Sequence, residues 1–168
     1  LLWSEFKKIK FGNNCYDFLT IVKDGEFYYK NIFPKIYENI CNKIEARFFI
    51  YENNSKDNTK SILNYLSEKY DNIFVKTENI HDDGSNRIFK IIKARNSLSK
   101  FYKEFILKNK VGGEWVFLFD TDIIFNYEES IIPLLDRSNM NKNVLMLLTY
   151  SVFSGFNDKL NGLINKKI

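Results

Sequence analysis

Two aspartates separated by one residue follow an apolar stretch of the 168-residue chain, where Trp115 to Phe119 lead into Asp120, Thr121 and Asp122. In an extended chain the side chains of residues i and i+2 point to the same side, so both carboxylates lie close together. Mg²⁺ and Mn²⁺ take one or two protein carboxylates and fill their remaining positions with phosphate oxygens and water. The pattern therefore predicts a metal site for a diphosphate. In the alternative interpretation, the aspartates only end a strand and begin a turn.

A second group of polar residues follows the apolar stretch Arg47 to Tyr51. Glu52 comes first, and the polar loop Asn53 to Asn58 leads into a helical pattern. At the carboxyl end of a strand, Glu52 could accept hydrogen bonds from a nucleobase or a ribose. Asp57 is better explained as the cap of the next helix, because aspartate side chains commonly accept hydrogen bonds from the first amides of a helix.

Arg95 is predicted to lie on the apolar face of a long helix, together with Ile91 and Leu98. An unpaired guanidinium in that position carries a large desolvation cost, so we expect a carboxylate, backbone carbonyls or a ligand phosphate to pair with it. The acids at the strand ends and a bound anionic ligand are the expected partners. Whether Arg95 contacts the ligand or only forms an internal ion pair stays open.

Short apolar stretches alternate with longer segments whose apolar residues recur at spacings of three and four. The first kind predicts strands and the second predicts helices. We predict helices at Thr59 to Tyr70 and from Ile88 to an end near Gly112-Gly113, and a helical segment Glu26 to Ile44 that Pro34 interrupts. The predicted strands are Phe18 to Val22, Arg47 to Tyr51, Asn72 to Val75, Trp115 to Phe119 and Val144 to Thr149.

This alternation predicts a mainly parallel sheet that is covered by helices on both faces, an α/β sandwich. Ligands of such sheets bind beyond the carboxyl ends of the strands. Asp120, Asp122, Glu52 and the residue after the first strand, Lys23, all follow predicted strands. We therefore expect the candidate site at that edge of the sheet.

Composition excludes several other classes of protein. The net charge of +4 comes from 25 basic and 21 acidic residues that are interspersed, which argues against nucleic acid as a partner. The chain has no P-loop and no G-x-G-x-x-G pattern. Its single histidine, His81, lies in a predicted glycine-containing loop, so a Ser-His-Asp mechanism is disfavoured. Two distant cysteines and no apolar run of membrane-spanning length favour a reducing, cytoplasmic location without a transmembrane segment.

Four segments, taken in order, resemble the GT-A glycosyltransferases. They are the first strand, Leu19 to Lys23; the loop Tyr-Glu-Asn-Asn-Ser-Lys-Asp-Asn-Thr at 51 to 59; Ala94-Arg95-Asn96; and Phe-Leu-Phe-Asp-Thr-Asp at 117 to 122. Within that fold, the chain is most similar to the fungal capsule-associated α-1,3-mannosyltransferase family. The resemblance covers about residues 18 to 153 and implies a Rossmann-like α/β/α sandwich.

The resemblance also implies a role for each matched residue. Asp122 is expected to bind Mn²⁺ or Mg²⁺ directly, and Asp120 to contact the metal shell and the donor ribose. Glu52 is expected beside the nucleobase, and Lys23 is expected to face the nucleotide. The residues expected along the diphosphate and the sugar are Arg87, Arg95 and Asn96. The implied reaction transfers a hexose or deoxyhexose from a UDP- or GDP-sugar donor to a glycan or glycoconjugate acceptor.

Two other functions compete with this interpretation. A sugar-1-phosphate nucleotidyltransferase also uses acidic metal sites in a related sandwich, although Lys23-Asp24-Gly25 is a meagre version of its glycine-rich basic loop. A binding module that kept the fold without catalysis is the non-enzyme alternative. We expect one domain over residues 1–168 that ends before the acceptor-binding half of such enzymes.

Overall fold

Four strands form one parallel sheet, which confirms the predicted α/β class. A computed structural model describes residues 10–81, 84, 86–121 and 123–132. The strands are β1 (Lys10–Val22), β2 (Glu45–Asn53), β3 (Ile73–Glu78) and β4 (Val111–Asp120). Their order in the sheet is β3-β2-β1-β4, and all neighbouring pairs are parallel. This arrangement is compatible with a Rossmann-like fold.

The direction in which strands are added to the sheet reverses beside β1. The chain passes from β1 to β2 and then to β3, and it returns across the sheet to place β4 on the other side of β1. Ligands of open parallel sheets bind beyond the carboxyl ends of the strands, where the order reverses. That point lies between β1 and β4, where Ile21 is the register partner of Asp120.

Helices lie on both faces of this sheet, namely α1 (Glu26–Asn31), α2 (Phe33–Cys41), α3 (Thr59–Lys69) and α4 (Arg87–Asn109). In α2, the ring of Phe33 lies 5.4 Å from the ring of Phe48. In α4, Ala94 and Leu98 belong to a buried cluster with Phe49. Because successive side chains of a strand point to opposite faces, α2 and α4 cover opposite sides of the sheet.

Pro34 divides the first helical segment, as predicted. α1 ends at Asn31, Ile32 separates the helices, and Pro34 lies in the first turn of α2. Proline is tolerated there because the first amides of a helix have no partner within that helix. The predicted segment Glu26 to Ile44 is therefore two short helices.

α4 ends at Asn109, before the predicted boundary at Gly112-Gly113. Lys110 adopts the left-handed conformation that ends the helix, with φ of 57°. Both glycines belong to β4. A Cβ atom on Gly113 would lie 2.7 Å from the carboxyl carbon of Asp17, and the Gly113 amide donates to Asp17 Oδ2 at 2.7 Å. Gly113 therefore allows a side chain to approach the backbone closely within the sheet.

The chain divides into two compact units, Leu1–Thr121 and Asp122–Ile168. The first contains the sheet and the four α-helices. Among its described residues, the second contains a π-helical turn, Tyr127–Ile131, with Asn126 as its cap. The predicted strand Val144 to Thr149 lies outside the described residues, and the single domain stays a prediction. No helix in the described part of the chain is long and apolar enough to cross a membrane.

Candidate functional site

Asp120 and Arg95 form an ion pair at the edge of the sheet where the strand order reverses. Asp120 is the last residue of β4, and Arg95 lies in α4. Arg95 Nη2 donates to Asp120 Oδ1 at 3.2 Å, and the two side chains are 44% and 52% exposed, respectively. The predicted pairing of Arg95 with an acid at a strand end is therefore confirmed.

The predicted burial of Arg95 within the apolar face of α4 is wrong, because its side chain is 44% exposed. Ala94 and Leu98 are buried, whereas Ile92 is 47% exposed. Arg95 points to nearly the same side of the helix as Tyr102, seven residues later, which packs against that cluster, but Arg95 lies at the edge of the sheet beside Asp120. Its guanidinium is consequently open to solvent and to a ligand.

Asp120 has a carboxylate oxygen that accepts no hydrogen bond from the described residues. Arg95 donates to Oδ1, and Oδ2 has no partner in the described ranges. An exposed carboxylate with a free oxygen suits Mg²⁺ or Mn²⁺, which need only one or two such ligands from the protein. Asp122, the other predicted ligand, lies outside the described residues. The described ranges contain no group of three or more His, Cys, Asp or Glu side chains that could hold a metal ion. The metal site therefore stays a prediction.

Glu52 is completely buried, and its side chain lies on the face of the sheet opposite to Asp120. Its Oε1 accepts a hydrogen bond from the Ser55 amide at 2.8 Å. Oε2 lies 3.9 Å from Lys60 Nζ and has no hydrogen-bond partner among the described residues. Glu52 therefore shapes its own loop, and its contact with a nucleobase stays a prediction.

The other predicted ligand-binding residues lie on the surface. Lys23 directly follows β1, the strand beside β4, and its side chain is exposed. Arg87 is the first residue of α4, and Asn96 follows Arg95 in the same helix; both are exposed. The structure thus brings Arg95 into contact with Asp120 and places Lys23 at the same edge. It shows no contact between Asp120 and either Arg87 or Asn96.

At this edge of the sheet, Glu26 and Asp57 each accept a hydrogen bond from a backbone amide of the other's loop, which the sequence analysis did not predict. The Glu26 amide, in the first turn of α1, donates to Asp57 Oδ2 at 3.0 Å. The Asn58 amide, at the start of α3, donates to Glu26 Oε2 at 3.0 Å. Asp57 Oδ1 also accepts the Thr59 amide at 3.0 Å, so Asp57 binds the first amide of α3 as predicted, although the N-cap position itself is Asn58, whose side chain makes no cap hydrogen bond.

Further hydrogen bonds join the same two loops. The Asp24 amide donates to Ser55 Oγ at 2.9 Å, and the Lys56 amide donates to Asp24 Oδ1 at 2.7 Å. The Gly25 amide donates to Thr59 Oγ1 at 2.8 Å. A spacing of 31 to 34 residues between partners explains why no local pattern predicted them.

These contacts change the proton affinity of both carboxylates. Hydrogen bonds from the amide and side chain of Asn58 lower the pKa of Glu26. Burial raises the pKa of Asp57, but hydrogen bonds from Thr59 and from the Glu26 amide outweigh it and hold the pKa below its usual range. Both groups are therefore stabilised in the ionised form that accepts these hydrogen bonds.

Side-chain hydrogen bonds also join the end of β3 and the loop after it to the end of β2 and its following loop. Asn54 Nδ2 donates to the Ile80 carbonyl at 2.9 Å, and the Ile80 amide donates to Asn54 Oδ1 at 2.8 Å. Tyr51 donates to Glu78 Oε2 at 2.6 Å. Hydrogen bonds from Tyr51 and Lys76 lower the pKa of Glu78, while burial and the bond to Glu78 raise the pKa of Tyr51 to about 12.

A buried ion pair lies deeper in the sheet, on the face covered by α4. Asp17 is fully buried and accepts hydrogen bonds from Arg47 Nε at 2.7 Å and Arg47 Nη2 at 2.8 Å. Tyr102 and the Gly113 amide donate to the same carboxylate. An aspartate inside an apolar strand was the available sequence signal, because a buried charge needs partners. The network lies within the core and holds β1, β2, β4 and α4 together.

A groove of about 510 Å³ lies between α1, α2 and α3. Tyr37 lines it, and the Tyr37 ring packs against Phe48, so the groove is on the face opposite to Arg95. It reaches the two capped loops only through Glu26 and Asn58. The groove therefore does not coincide with the candidate site.

Comparison with models of known protein families found no match to this chain. A search of curated proteins also found no similar sequence. The candidate site is therefore defined by the chemistry of its own residues.

Proposed function

We propose that the chain binds a nucleoside diphosphate-sugar as the donor domain of a metal-dependent GT-A glycosyltransferase. The observation that supports this proposal most is the ion pair of Asp120 and Arg95, exposed beyond the carboxyl end of β4 where the strand order reverses. A carboxylate for a cation and a guanidinium for phosphate oxygens stand side by side there. Together these groups suit a diphosphate that is bound through a metal.

In this proposal, Arg95 stabilises the negative charge that develops on the leaving diphosphate. When the bond between the sugar and the diphosphate breaks, charge accumulates on the leaving phosphate, and a fixed guanidinium lowers the energy of that state. Asp120 orients Arg95 through Oδ1 and keeps Oδ2 for a cation. A bound Mn²⁺ or Mg²⁺, held by Asp120 and Asp122, would supply further charge neutralisation.

Lys23 extends this positive surface to the strand next to β4. Its side chain is exposed directly after β1, where it can contact a nucleotide phosphate. Arg87 and Asn96 are the other proposed contacts of the diphosphate and sugar, and Glu52 is the proposed contact of the nucleobase. The resemblance to the capsule-associated α-1,3-mannosyltransferases supports a hexose or deoxyhexose from a UDP- or GDP-sugar donor and a glycan or glycoconjugate acceptor.

The test is calorimetric titration of the whole chain with UDP and with GDP, each with and without Mn²⁺. We expect binding that depends on Mn²⁺ and that the Asp120→Asn and Arg95→Ala substitutions each weaken about tenfold, the loss of one charged contact. Asp71→Asn is the matched control, because Asp71 is an exposed carboxylate between α3 and β3, at the opposite edge of the sheet. Its affinity should equal that of the wild type.

Absence of Mn²⁺-dependent binding of either nucleotide would contradict the proposal and favour the non-catalytic module. If nucleotide binds, incubation with UDP- and GDP-sugars distinguishes the two enzyme classes. Slow release of free sugar and nucleoside diphosphate supports a glycosyltransferase. Formation of nucleotide sugar from a nucleoside triphosphate and a sugar 1-phosphate supports a nucleotidyltransferase.

A further inference from the structure

The hydrogen bonds between the β1–α1 loop and the β2–α3 loop form what we call the interloop clamp, made by Asp24, Glu26, Ser55, Asp57 and Asn58. In an ordinary helix cap, the side chain accepts from amides of the helix that follows it. Here the two carboxylates also reach across to the other loop. Asp57 accepts from the Glu26 amide of α1 as well as from the Thr59 amide of α3, and Glu26 accepts from the Asn58 amide just before α3. Neither loop can move without breaking bonds to the other.

The clamp holds its backbone in a conformation that is unfavourable for most residues. Asp24 and Asn54, one in each loop, have φ of 54° and 56°. This left-handed region costs free energy for residues other than glycine, although Asp and Asn tolerate it better than most. Gly25 is also constrained, because a Cβ atom there would lie 2.5 Å from Val22 Cγ2. Such local strain persists only where the surroundings impose it, and it concentrates at functional sites.

Lys23 lies at the point that the clamp immobilises. On one side, Val22 is paired with Glu52 in the β1–β2 ladder. On the other side, the Asp24 amide is bound to Ser55 Oγ and the Asp24 carboxylate to the Lys56 amide. The backbone of Lys23 is thus fixed at both neighbours, while its side chain remains exposed beside the strand that ends in Asp120.

We infer that Glu26 and Asp57 are positioning residues that hold Lys23 toward the phosphates of the bound nucleotide. The inference rests on the proposed function. The physical benefit is preorganisation, because a loop that is already ordered loses less conformational entropy when the ligand binds. Lys23 provides the contact, and the exchanged caps determine where that contact is made.

The first experiment measures the clamp without any ligand, by hydrogen–deuterium exchange of the whole chain. Asp57→Asn leaves one acceptor oxygen in place of two, so we expect exchange of the Glu26 amide, 31 residues away, to become about tenfold faster. Glu26→Ala should expose the Asn58 amide in the same way. Glu38→Ala is the control, a carboxylate of α2 outside the clamp. Unchanged exchange in the opposite loop for both variants would overturn the clamp.

The second experiment is a double-mutant cycle in the affinity for UDP or GDP with Mn²⁺. Lys23→Ala should weaken binding about tenfold in the wild-type background and less than about twofold when Asp57→Asn is already present. A cap that only stabilised its helix would leave the two effects additive, and additivity overturns the positioning role. Wild-type protein that binds no nucleotide overturns the proposed function and this role with it, while the exchange experiment still decides whether the clamp exists.

Discussion

At the scale of single residues, the difference in burial gives two aspartates, Asp17 and Asp120, different functions. Asp17 is fully buried and its carboxylate is occupied by Arg47, Tyr102 and a backbone amide. Asp120 is about half exposed, and its Oδ2 accepts no hydrogen bond within the part of the chain that the structure describes. A fully satisfied buried carboxylate holds the fold together, whereas an exposed one with a free oxygen is available to a ligand.

We expect Asp17→Asn to destabilise the protein by roughly 3 to 5 kcal/mol. The substitution leaves the guanidinium of Arg47, which is only 12% exposed, without its counter-charge, and an unpaired buried charge carries that cost. Urea denaturation monitored by circular dichroism measures the free energy of unfolding. Asp71→Asn serves as the exposed control and should change it by less than about 0.5 kcal/mol. Equal effects of both variants would contradict a structural role for the buried ion pair.

At the scale of elements, the C-terminal end of α4 differs from the end that the sequence pattern predicted. The pair of glycines favoured a helix end at 112–113, yet Lys110 takes the left-handed position that glycine usually fills. The glycines are needed instead in β4, beside Asp17. A strained lysine therefore remains at the end of α4.

Replacing Lys110 with glycine should stabilise the protein by about 0.5 to 1 kcal/mol. Glycine adopts the φ of 57° without the steric penalty that a Cβ atom imposes. Lys108→Gly, in the last turn of the same helix, should destabilise by about 1 kcal/mol because glycine is a poor helix former. Thermal unfolding of the two variants in parallel provides the comparison. A decrease in melting temperature for Lys110→Gly would show that the left-handed end does not limit stability.

At the scale of the whole molecule, the carboxylates at the edge of the sheet make stability depend on pH. Hydrogen bonds from Asn58 lower the pKa of Glu26, and those from Tyr51 and Lys76 lower the pKa of Glu78; for Asp57, hydrogen bonds outweigh the opposite effect of burial. A group whose folded pKa is lowered contributes stability above its unfolded pKa. That contribution is lost as the pH falls through the folded value.

We therefore expect these three carboxylates to contribute a constant amount to the free energy of unfolding from about pH 7 to pH 5. Their contribution should decrease below about pH 4.5. Urea denaturation at a series of pH values measures the decrease. Asp57→Asn should be less stable than the wild type at pH 7 and show a shallower acid dependence, because asparagine does not titrate. An identical slope in that variant would indicate that Asp57 does not contribute to acid sensitivity.

The sequence by itself determined the α/β class, four strand positions, the break at Pro34 and the pairing of Arg95 with a strand-end acid. These features depend on local information, because the alternation of apolar residues records which side of each element is buried. A polar residue directly after an apolar strand similarly locates the edge where a ligand can bind. For this reason the Asp120 end of the candidate site could be predicted without coordinates.

Only the tertiary structure decided the partners of residues that are far apart in the chain. The exchange of caps between Glu26 and Asp57, and the contacts of Asp17 with Arg47 and Tyr102, join positions separated by 30 to 85 residues. The exposure of Arg95 depended on its place at the edge of the sheet, beside Asp120. Strand order and the point at which a helix meets the edge of the sheet result from the packing of the whole core, and local spacing does not record them.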